Sequence, residues 1–97
     1  MLKDKRISVD CLIVQKEGNI VSDMDGEKVM LSISNGKYYN LGEMGGVIWD
    51  IIKNPISLNQ LIVILMSEYE VEKRECEQQV FTFVDLLYSE DLIKIID

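Results

Sequence analysis

The chain contains no histidine, a single proline, two cysteines and no long apolar run, and each shortage excludes something. Without histidine there is no Ser-His-Asp triad, no Cys-His pair and no imidazole metal site. Cys11 and Cys76 show no CxxC spacing and are too few for a cysteine-rich zinc site. In a reducing compartment they stay unpaired and act as small apolar fillers. The longest uninterrupted apolar run, Leu61 to Met66, falls far short of the ~20 residues of a membrane span. Met1 to Asp10 carries Lys3, Lys5 and Arg6 with no apolar stretch behind them, which is not the pattern of a secretion signal. The expectation is a cytoplasmic protein that needs no cofactor. Only carboxylates, lysines, tyrosines and a thiol remain for catalysis, so a binding role is favoured over an enzyme.

What is present is ordinary for a globular chain: 97 residues, 47% apolar and 28% charged. A chain of this length buries roughly 60–65% of its unfolded surface, enough for one modest core, so one domain over residues 1–97 is expected. The net charge of −7 is unevenly placed. Residues 1–41 hold six basic and six acidic side chains, whereas residues 42–97 hold four basic against eleven acidic. The whole negative balance sits in the second part.

The first part reads as strands. Asn19 to Ser22 is a short candidate, followed by the hairpin signal Asp25-Gly26. Lys28 to Ile33 alternates, which predicts Val29, Leu31 and Ile33 on the buried face. Asn35-Gly36 is a second turn signal before the strand Lys37 to Leu41. A two-residue loop would pair Ile33 with Tyr38. A three-residue loop, Ser34 to Gly36, pairs Leu31 with Tyr39 and Val29 with Leu41 and gathers the apolar residues, so it is the expected register. Ile7 to Val14 is a further strand candidate.

The second part reads as three helices. Asn40 is the expected cap of the first, whose buried stripe is Met44, Ile48, Ile51 and Ile52, and Pro55 stops it. Ser57-Leu58-Asn59-Gln60 is a capping box that opens the second. Its stripe is Leu58, Leu61, Ile62, Leu65, Met66 and Tyr69. The third runs from about Lys73 to Ser89, with Cys76, Val80, Phe83, Val84 and Leu87 on one face. Leu92 to Ile96 reads as an extended tail returning to the core. The fold class is α+β: a three-stranded antiparallel sheet followed by three helices, in a winged helix-turn-helix-like order.

Several motifs reduce to structure. Asp23-Met24-Asp25-Gly26 resembles the start of a calcium loop, but Lys28 stands where the loop glycine belongs, so a turn is expected. Gly42, Gly45 and Gly46 match no phosphate-binding pattern and instead allow close approach of a helix to the sheet. Trp49 reads as core, and the glutamates from Glu68 to Glu77 as solvated surface.

A winged helix often reads DNA, but the third helix and its edges set Lys73 and Arg74 against Glu72, Glu75, Glu77, Asp85, Glu90 and Asp91. That surface repels phosphates. An open sheet edge beside an apolar helix suits an extended peptide better, because backbone bonds give affinity and side-chain pockets give specificity. The edge would be Lys37, Tyr38, Tyr39, Asn40 and Leu41. The wall would be Cys76, Gln79, Val80, Phe83, Val84 and Leu87.

Residues 25–52, DGEKVMLSISNGKYYNLGEMGGVIWDII, resemble the PqqD family of recognition elements for ribosomally synthesised, post-translationally modified peptides. Within it they are most similar to the stand-alone leader-binding proteins of lasso-peptide clusters. The matching residues are Gly36, Tyr38, Tyr39, Leu41, Gly45 and Ile48-Trp49, then a leucine-rich helix, Glu68 to Val71, a long helix and Leu92-Ile93. The family's Leu-Asn step reads Leu41-Gly42 here, with Asn40 one place early. The resemblance spans about residues 19–96. It implies a non-catalytic domain that binds a precursor's leader peptide as a strand and presents it to a leader peptidase and a cyclase, with neither nucleic acid nor membrane as partner. The acidic helical half further predicts Lys or Arg in the leader and binding that weakens with salt. The alternatives are a winged-helix transcriptional regulator, a PqqD-like peptide chaperone of another modification pathway, and a subunit that merely scaffolds an enzyme.

Overall fold

The computed structural model describes residues 8–96. The chain runs β1 (Leu12–Gln15), β2 (Asn19–Met24), β3 (Glu27–Ser32), β4 (Lys37–Leu41), α1 (Gly42–Ile51), β5 (Ile56–Ser57), α2 (Leu58–Glu68), α3 (Lys73–Ser89) and β6 (Ile93–Ile96). The α+β class and the three helices are as expected, but the strands form two antiparallel sheets, ordered β5-β1-β6 and β2-β3-β4. Only the start of the strand foreseen at Ile7 falls outside the described residues. The foreseen tail is β6, which pairs with β1 from Leu12↔Ile96 to Gln15↔Ile93.

Local chemistry explains most boundaries. Asp25 and Gly26 both take positive φ, 55° and 85°, and close the two-residue turn between the paired Met24 and Glu27. The Ser57–Gln60 capping box forms in full, with Ser57 Oγ accepting from the Gln60 amide at 3.1 Å. α3 carries the expected limits, and Cys76, Val80, Val84 and Leu87 of its inner face are buried. Asn40 does not cap α1 as expected: its side chain accepts the Gly42 amide at 2.9 Å, but Leu41 is the cap residue and offers no side-chain bond.

The β3–β4 hairpin departs from expectation in face and register. Met30 and Ser32 point inward and are 0% and 1% exposed, while Ile33 is 63% exposed. The pairs are Met30↔Tyr39, Leu31↔Tyr38 and Ser32↔Lys37, so the loop has four residues, 33–36, rather than three. The buried Ser32 accounts for this. Its Oγ accepts from the Asn35 amide at 3.3 Å and its carbonyl from Gly36 at 2.9 Å, so a polar residue on the inner face ties the loop. A bulge at Leu41 follows, between Val29↔Asn40 and Lys28↔Gly42.

α1 lies across β3. A Cβ at Gly46 would meet the Lys28 stem at 3.0–3.2 Å, and the Lys28 ammonium pairs with Asp50 one turn on. The core gathers Ile13, Met30, Ile48, Trp49, Leu61, Leu65 and Ile93, among others, from both sheets and all three helices.

Candidate functional site

β4 is an edge of its sheet, with β3 on one side and, among the described residues, no strand on the other. Its alternation divides the five residues. Tyr39 and Leu41 face the helices and pack with the core, whereas Tyr38 and Asn40 face outward, Tyr38 75% exposed. Tyr38 continues a cross-strand row through Leu31 to Ile20, so the outer face carries apolar surface up to the open edge.

The hairpin is held at both ends of this strand, by the C-terminal end of α3 and by α1. At one end the Tyr39 hydroxyl donates to Glu90 Oε1 at 2.8 Å, the Lys37 ammonium lies 3.3 Å from the same oxygen, and the Asn35 amide donates to the Glu90 carbonyl at 2.7 Å. These donors, Tyr39 first and then Lys37, hold the Glu90 carboxyl below the usual glutamate range. At the other end Leu41 approaches Gly45, which is packed on the Phe83 ring.

Beyond Gly45 a cleft of about 610 Å³ opens between α1 and α3. Met44, Gly45 and Ile48 line one wall, and Gln78, Gln79, Thr82, Phe83 and Leu86 the other. No charged side chain lines it among the described residues. A second cleft, of about 660 Å³, lies between Ile51, Pro55, Ile56 and Val63; no β4 residue lines either cleft, and Leu41 reaches only the first, through Gly45.

The expected wall and this cleft share only part of their residues. Cys76, Val80, Val84 and Leu87 are at most 1% exposed and form the core behind the cleft; a ligand lying in it meets Gln79 and Phe83 but not these four. Burial, with Glu77 adding to it, raises the Cys76 thiol pKa, which keeps it protonated and unreactive at neutral pH. Met44, Gln78, Thr82 and Leu86 were not foreseen. The three on α3 did leave a signal, a second stripe beside the core face: Gln78, Thr82 and Leu86 stand at i, i+4 and i+8, and Leu86 is an apolar residue left 47% exposed.

Among the described residues no cluster of acids and thiols could hold a metal ion, and no helix is long and apolar enough to cross a membrane. Residues 27–93 match the family model of coenzyme PQQ synthesis protein D. The solved structure of TbiB1 in complex with the TbiA(beta) leader peptide superposes with a TM-score of 0.73 at 21% identity. The match covers 84% of this chain and 94% of that one. No curated protein sequence matches the chain.

Proposed function

Because the chain belongs to the family of coenzyme PQQ synthesis protein D, we propose that it binds the leader segment of a ribosomally made precursor peptide as a fourth strand beside β4. One observation carries this reading: β4 has an edge that no strand covers among the described residues, and its last residue, Leu41, lies against Gly45 in the wall of an uncharged, largely apolar cleft between α1 and α3. A strand added there alternates its side chains. Those on one side enter the cleft against Phe83 and Leu86, and those on the other extend the outer face beside Tyr38 and Asn40. The shared fold with TbiB1, itself bound to a leader peptide, supports the assignment.

In this reading the protein performs no chemistry and delivers the precursor to a separate leader peptidase and cyclase of a lasso-peptide pathway. We read β2-β3-β4 and the helices as a winged-helix arrangement turned to peptide binding. The acidic residues around α3 weigh against duplex DNA and favour basic leader residues outside the cleft.

The test is a titration by fluorescence anisotropy with labelled synthetic leader peptides, chosen from any short precursor gene that sequencing of the neighbouring reading frames reveals. Phe83→Ala is expected to weaken binding about tenfold or more while the far-ultraviolet spectrum stays native, since a well-placed aromatic anchor contributes on the order of 2 kcal/mol. Unchanged affinity would sink the groove assignment, and salt-sensitive duplex binding in a gel shift would favour the regulator.

A further inference from the structure

Gly45 is a helical glycine with no room for a side chain. A Cβ built there lies 2.9 Å from Cε1 and 3.0 Å from Cζ of Phe83, and 3.4 Å from the Leu41 Cβ. Carbon atoms settle at roughly 3.5–4.0 Å, so something must yield. The nearest atoms are the far end of the Phe83 ring, which turns more readily than backbone. Phe83 is half-buried and lines the cleft, so the space available to a displaced ring is the cleft itself.

We propose that Gly45 sets the depth of the cleft: by lacking a side chain it lets the Phe83 ring recess against α1, and this recess selects a large apolar side chain on the inward face of the bound peptide. The inference rests on the peptide-strand reading above and adds a specificity-determining residue to it. The class of side chain follows from the lining. Met44, Ile48, Phe83 and Leu86 offer carbon, Gln79 and Thr82 are neutral, and a charged residue inserted there would lose water without gaining a partner.

The experiment uses the same labelled leader and a second peptide in which its largest inward residue is replaced by alanine. Gly45→Ala is expected to bind the leader about tenfold more weakly, with its melting temperature and far-ultraviolet spectrum recorded alongside. In the Phe83→Leu background, which lacks Cε1 and Cζ, adding Gly45→Ala should cause no further loss. The alanine peptide should lose about tenfold on the wild-type protein and less than threefold on Gly45→Ala, because the pocket it vacates is already closed. Phe83→Trp fills the cleft from the other wall and should reproduce the altered preference even where Gly45→Ala folds poorly. A wild-type protein that binds no leader overturns the peptide reading and this role together. A wild-type protein that binds, with Gly45→Ala equal to it or equally harmful in the Phe83→Leu background, overturns the role of Gly45 alone. So does a Phe83→Trp protein that keeps the wild-type preference for the large residue.

Discussion

Glu90 is where three side chains of the β3–β4 hairpin meet the end of α3, and its acidity reports whether they stay there. The Tyr39 hydroxyl and the Lys37 ammonium both favour the charged carboxylate, so its pKa is lower folded than unfolded. The contribution to stability is complete above the ordinary glutamate range and disappears as pH falls through the lowered value. Tyr39→Phe removes the larger cause. In a carbon-detected titration by nuclear magnetic resonance, the Glu90 carboxyl should titrate below ordinary glutamates in the parent and move up towards them in the variant; no upward movement would mean the hydroxyl does not make the contact. Little of this could be read beforehand, because Lys37 and Glu90 stand 53 residues apart. Ser32 shows the same limit in another form: a serine on a strand reads as solvent-facing, and nothing in its neighbours announces that its hydroxyl serves the loop from inside.

At the scale of elements, legibility followed the strength of local chemistry. α2 begins, and α3 begins and ends, where the sequence indicates, because a capping box and a long period-3.6 stripe each act within a few residues, whereas Tyr69 of the expected α2 stripe stands extended just past the helix. β3 did not yield its face, since Val29, Leu31 and Ile33 alternate with Met30 and the period alone favours the wrong set. The α3 stripe was found, but the structure divides it: the strongest apolar positions are buried in the core, and the cleft takes the weaker flank. The two flanks therefore separate experimentally. Val80→Glu, at a position 0% exposed, places an unpaired charge in the core and should cost several kcal/mol, a large share of the roughly 5–15 kcal/mol that holds a small domain. Loss of the cooperative thermal transition is the expected outcome. A folded Val80→Glu protein with impaired peptide binding would restore Val80 to the site.

For the whole molecule, composition narrowed the chemistry to be expected but was silent about architecture. The missing histidine and the unpaired thiols pointed to binding, and Cys11 and Cys76 are free thiols in the fold. That the strands divide into two sheets was not legible, because β1 pairs with β5 and β6, segments far along the chain and, for β5, only two residues long. This division has a dynamic consequence. β1 is flanked on both sides and fastened further by the Gln15 amide to the Ile52 carbonyl and the Lys16 amide to the Leu92 carbonyl, whereas among the described residues nothing pairs with the outer edge of β4. Amide hydrogens in the two sheets should therefore exchange with deuterium as two populations, slowly over residues 12–15 and 93–96 and faster over residues 19–41. A leader laid on β4 should slow the second population and leave the first unmoved, as measured by mass spectrometry. The hairpin would breathe until its guest arrives, while the sheet behind it keeps a steady clock.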